Sequence, residues 1–154
     1  DAAVLALVPR TSDMPTVEDL RMVLAAYRIR GMLGFRSRRA EVARIRREVT
    51  GAVHAVQPRT VVMVFEGADG ASRRRVDRIA RHVTRDISVA ATNAVGSDTT
   101  VLGLVVMTGQ ERDLAATCVR HVAVEPPERG DGLVVHAAGL RRVNIYELIE
   151  EAVV

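Results

Sequence analysis

The sequence predicts an α/β fold: a three-layer sandwich in which a central, mostly parallel sheet with one antiparallel hairpin is covered by helices on both faces. Three observations predict it. Short β-branched apolar runs alternate along the chain with longer amphipathic stretches, the pattern of strand and crossover helix. The run Thr60 to Phe65 is apolar without alternation, as expected of a strand covered on both sides. The link from Asn93 to Thr100 between two later apolar runs is short enough for a hairpin.

Each element has its own justification. Ala3 to Val8 is a short apolar run ended by Pro9, and reads as a strand. Thr16 begins a helix through a Thr-x-x-Asp capping box closed by Asp19, with Leu20, Val23, Leu24 and Tyr27 as its apolar face and Gly31 and Gly34 at its end. Ser37 is the expected N-cap of a long second helix, whose stripe of Val42, Ile45, Val49, Val53 and Val56 stops before Pro58. Strand Thr60 to Phe65 follows. Ser72 to Thr84 is amphipathic through Val76, Ile79, Ala80 and Val83. Ile87 to Ala91 and Val101 to Met107 read as two further strands, Gln110 to His121 as a helix, and Glu125 to Gly132 as a Pro- and Gly-rich loop. Leu133 to Ala138 is a last strand, and Asn144 caps a final helix with Glu147 in the reciprocal position.

The 154 residues, 48% of them hydrophobic, suit one domain, residues 1–154, with a single core. A first residue of Asp1 is what a fragment of a longer protein would show. With only Tyr27, Phe35, Phe65 and Tyr146 as aromatic residues, no platform of rings for stacking bases is available. Charge is divided along the chain: residues 1–85 hold 17 Arg against 9 acidic residues, and residues 86–154 hold 5 Arg against 10. Such asymmetry predicts a basic surface that meets an anion or an acidic partner. Arg38, Arg39, Arg44, Arg46 and Arg47 form much of that surface on the second helix. Cys118 is the lone cysteine, so no intrachain disulfide is expected, and a reducing, cytoplasmic setting fits. No apolar run is long enough to cross a bilayer, and no membrane insertion is expected.

Glu66, Asp69, Asp98 and Asp113 fall in turns at predicted strand ends, where ligands of open α/β sheets bind, and together could hold a divalent cation as in PIN-like or NYN-like nucleases. The first strand, however, ends Leu7-Val8-Pro9 where such nucleases place an Asp. The four histidines have no zinc spacing, and neither a serine-hydrolase elbow nor a Gly-Lys-Ser/Thr phosphate loop is present. The junction Gly70-Ala71-Ser72-Arg73-Arg74-Arg75 is the physically unusual one. Three arginines in the first turn of a helix oppose its positive end, and an anion held by Gly70, Ser72, Arg73, Arg74 and Arg75 would offset that cost.

Residues 32 to about 153 resemble a strongly degenerate GGDEF domain, the fold of diguanylate cyclases. Met32-Leu33-Gly34-Phe35-Arg36-Ser37-Arg38-Arg39 is similar to that family's opening Leu-Thr-Gly-Leu-x-Asn-Arg-Arg, and Gly96-Ser97-Asp98-Thr99-Thr100 stands where the signature Gly-Gly-Asp-Glu-Phe falls. Only Gly96 and Asp98 match the signature. Thr99 replaces its metal-binding Glu, and Glu66 is the one carboxylate near the family's other metal position. The resemblance therefore implies lost cyclase activity and a regulatory or interaction role. The expected function is a non-catalytic domain, with no cofactor, that binds a nucleotide, a phosphate or an acidic protein surface, either a partner's or that of other domains of the same chain. Metal-dependent nuclease action and nonspecific nucleic-acid binding are the alternatives.

Overall fold

In the computed structural model, residues 4–8, 22–31, 35–68, 70–96 and 98–154 are described. The elements are β1 (Val4–Val8), β2 (Met22–Arg30), α1 (Phe35–Val56), β3 (Thr60–Ala68), α2 (Arg73–Val95), β4 (Thr100–Val106), α3 (Gly109–Val124), β5 (Leu133–His136), a 3-10 turn (Ala137–Arg141) and α4 (Ile145–Val153). The five strands form one sheet in chain order. β2, β3, β4 and β5 run parallel, while β1 pairs antiparallel with β2.

Alternation along the strands builds two cores. Val23, Ala25, Tyr27 and Ile29 of β2, Val61, Met63 and Phe65 of β3, and Val101 and Val105 of β4 point to one face. There they meet Ile45, Val49 and Val53 of α1 and Val76, Ala80, Val83, Ile87 and Ala91 of α2, spaced three or four apart so that each helix presents a single stripe. Val62, Leu102, Leu104, Val106 and Val135 point to the other face, against Ala115, Cys118, Val119 and Val122 of α3 and Ile145 and Ile149 of α4. Helices cover both faces, as the sequence predicts.

Two expectations are corrected. Val23, Leu24 and Tyr27 lie on strand β2 instead of a helix, because from Val23 to Ile29 every second residue is buried and the same apolar positions fit both periods. Thr16, Asp19, Leu20 and Gly34 lie outside the described residues, as does Ala3. Ile87 to Ala91 is not a strand: it continues α2, with Ile87 and Ala91 one turn apart on the buried stripe. The hairpin expected at Asn93 to Thr100 is therefore absent. That segment ends α2 at Gly96, whose φ of 101° favours glycine and whose N–H donates to the Thr92 carbonyl, and then leads into β4. Smaller shifts occur elsewhere. α1 begins at Phe35, ahead of Ser37, and β5 ends at His136.

The path of the chain switches faces along the sheet. Strand order advances in one direction, yet α1 and α2 lie on one face and α3 on the other, so the crossover through α3 turns with the opposite hand to the two before it. At the carboxyl ends of β3 and β4 the departing chains thus diverge to opposite faces. Ligands of open α/β sheets bind at such divergences.

Candidate functional site

Two clusters occupy this carboxyl edge, and α2 contributes to both. Ser72 caps the helix, its Oγ accepting from the Arg75 N–H at 3.3 Å, and Gly70 at φ 78° makes the turn before it. Residues that follow one another on a helix point about 100° apart, so consecutive arginines diverge, whereas residues four apart share a face. Arg73 and Asp77 turn towards β5 and α3. Arg74 and Arg78 turn towards α1.

The first cluster is a closed polar network. Glu111 of α3 is only 1% exposed, and its Oε1 accepts from the Arg73 guanidinium at 2.9 Å while its Oε2 accepts from the Met107 N–H at 2.8 Å. Burial alone would raise the Glu111 carboxyl, but these bonds outweigh it and hold the group below its ordinary range. Arg73 also lies 3.3 Å from Nδ1 of His136, whose Nε2 lies 2.7 Å from Asp77. A guanidinium can only donate, so Nδ1 accepts and Nε2–H donates to Asp77. Asp77 accepts from Arg81 as well, at 2.8 Å, and although burial opposes it these two bonds keep its carboxyl lowered. Beside the network, Glu66 at the end of β3 pairs with Arg112 and lies 4.0 Å from Arg28.

The second cluster is open. A groove of about 380 Å³ between the first turns of α1 and α2 is lined by Arg38, Ser72, Arg74, Arg75 and Arg78. Arg75 is the fixed wall, donating to the Gly31 carbonyl at the end of β2. Arg38, Arg74 and Arg78 have no carboxylate partner among the described residues, and the Nε of Arg38 is shielded from solvent without a hydrogen-bond partner there. A second groove of about 380 Å³ adjoins it, lined by Arg38, Arg39, Val42, Ala43, Arg46 and His82.

Of the five residues expected to hold an anion, Ser72, Arg74 and Arg75 line the first groove, Arg73 is drawn into the Glu111 network, and Gly70 stands in the exposed turn outside it. Arg38, Arg39 and Arg46 of the expected basic surface line the grooves. Arg44 instead faces Glu41 and Glu48, at 3.7 and 3.9 Å, and the exposed Arg47 lines neither groove. The four carboxylates expected to share a metal are not brought together. Asp98 lies exposed at the amino end of β4, whereas Glu66 pairs with Val106 at the carboxyl end, about 20 Å away at the rise of a strand. Asp113 is exposed on α3, Asp69 lies outside the described residues, and no cluster of three metal-ligating side chains occurs among the described residues.

Glu111, Asp77, His136 and Arg78 were not expected. Glu111 had a signal: Thr108-Gly109-Gln110-Glu111 is a Ser/Thr-x-x-Glu capping box, and the Thr108 Oγ1 accepts from the Glu111 N–H at 3.2 Å. No family model matches the chain, and no curated protein or solved structure matches it. The fold and site define a three-layer α/β domain with an arginine-lined groove at the carboxyl edge of its sheet. Among the described residues no helix is long and apolar enough to cross a membrane.

Proposed function

We propose that this domain is a non-catalytic regulatory or interaction module, acting in the cytoplasm, that binds an anionic ligand in the groove between α1 and α2. One observation carries the reading: the groove is walled by four arginines and the Ser72 cap, with no carboxylate among its described lining residues. Guanidinium forks match the oxygens of phosphate and carboxylate groups, and the crowding of Arg38, Arg74 and Arg78, which have no carboxylate partner among the described residues, favours an anion between them.

Three of the side chains that could carry chemistry are otherwise occupied, which supports a binding role. His136 has both ring nitrogens engaged, and His82 is bonded to Arg46 at 2.9 Å. The Cys118 thiol is buried and pushed up by that burial to about 12, so it is a poor nucleophile and needs no oxidising compartment. On the GGDEF resemblance, the position of the metal-binding Glu falls on Thr99, which is buried and donates to the Pro58 carbonyl at 2.8 Å, a structural use of the side chain that accords with lost activity.

Thermal melts in phosphate, sulfate and a nucleotide panel, each against chloride of equal ionic strength, test the reading. A ligand at about 100 times its dissociation constant stabilises the fold by about 2.7 kcal/mol, and the double variant Arg74→Ala, Arg78→Ala abolishes the rise. If no anion exceeds the chloride control, or the double variant keeps the full rise, the groove is not an anion site.

A further inference from the structure

We infer that the groove takes a run of consecutive phosphates, as in a nucleic-acid backbone or inorganic polyphosphate, in preference to one isolated anion; this rests on the anion-binding reading above. The two grooves share Arg38 as a common wall, so a chain passing along α1 and α2 meets both. Arg74, Arg78 and His82 recur every four residues of α2 and so line one face at intervals of about 6 Å, opposite Arg38, Arg39 and Arg46 of α1.

The lining also says what is not read. Among the described lining residues neither groove has a carboxylate, and His82 is the one ring, so the contacts on offer are mainly to phosphate charge, and such contacts carry no sequence information. Arg38 lines both grooves, so its guanidinium stands where a phosphate bridging them would lie. The far end is closed electrostatically. Arg46 pairs there with Asp86, which also lies 3.7 Å from His82, so the cationic track ends after about two turns of α2. A single phosphate needs only the first groove; a chain of phosphates engages the second as well.

Binding of a short mixed-sequence single-stranded oligonucleotide, of inorganic polyphosphate and of inorganic phosphate, each titrated across salt, tests this. Neutralising four phosphates gives log Kobs against log salt a slope of about −3 for the oligonucleotide. Arg39→Ala weakens both chains about threefold and leaves inorganic phosphate binding unchanged, as expected for one exposed contact in the second groove. Arg74→Ala with Arg78→Ala weakens all three ligands, and Arg120→Ala, which removes a charge from the opposite face, weakens none. Tighter binding of either chain names the source, and both support the inference. A slope shallower than about −1, an Arg39→Ala variant that binds the chains as the parent does, or a polyglutamate that binds as tightly as the phosphate chains would overturn it. If inorganic phosphate raises the melting temperature but the chains add nothing, only the chain inference falls. If phosphate itself fails, the anion-site reading falls with it.

Discussion

The two helical layers rest on one sheet through the same kind of apolar stripe, yet their outer surfaces differ in charge. α1 and α2 together carry 12 Arg against 4 acidic residues, and α3 and α4 carry 2 Arg against 5. The grooves follow suit. The one between α1 and α2 is walled by arginine, while one of about 510 Å³ on the other layer is lined by Glu125, Glu128 and Glu150 beside Pro126, Pro127, Arg129, Tyr146 and Ile149. Burial decides which residues face inward and fixes the fold in both layers alike, each fully buried Val, Leu or Ile contributing about 1.5–3 kcal/mol. The solvent face is free of that constraint, and the two layers differ there.

The sharpest way to break the comparison is to cut the tie between the layers at the carboxyl edge, where Arg73 of α2 meets Glu111 of α3. Glu111→Ala leaves the Met107 N–H unpaired and a void in its place, and is expected to destabilise by about 2–4 kcal/mol in urea unfolding; Arg73, 45% exposed, recovers water and keeps the loss from being larger. A loss below about 1 kcal/mol would mean that the layers are held by apolar packing alone.

Two glycines compare the inside and outside of the basic layer. A Cβ at Gly103 of β4 would stand 2.5 Å from Thr84 Oγ1 and 2.8 Å from Val134 Cγ2, so Gly103→Ala is expected to cost about 1–3 kcal/mol by forcing α2 off the sheet. Gly51, on the exposed side of α1, has nothing within 4 Å of such a Cβ. Gly51→Ala should therefore stabilise by about 0.5–1 kcal/mol, and chemical denaturation of the two variants side by side would show opposite signs.

Acid acts on the same tie. Glu111 and Asp77 have folded values below their ordinary 4.5 and 3.8, so their contribution is complete above those values and lost as pH falls through the lower folded ones. The melting temperature should drop on acidification from about pH 5 to about pH 3, and drop less in Glu111→Gln than in the parent; equal drops would remove Glu111 from the explanation. The smallest effect belongs to the groove. Arg74→Ala with Arg78→Ala, both exposed, should shift stability without ligand by no more than about 0.5 kcal/mol while removing the response to anions.

By itself the sequence determined the layers and named several residues that line the candidate groove. The stripe of Ile45, Val49 and Val53, the unbroken run at β3 and the Asn144 cap are local signals with which the packing around them agrees, so each leads to its element. Ser72, Arg74 and Arg75 were legible because arginines in a first helical turn oppose the field there. Short apolar runs were not decided locally. Met22 to Arg30 became a strand by pairing with β1 and β3, and Ile87 to Ala91 stayed helical because its stripe lies on the sheet. Only the tertiary structure decided where the charges point: it placed Asp98 and Glu66 at opposite ends of parallel strands, and it sent Arg73 to a buried Glu111 while Arg74, one residue on, faces an open groove. The physical reason is that a turn of about 100° per residue separates neighbours in sequence, and what each side chain then meets is set by elements far away along the chain.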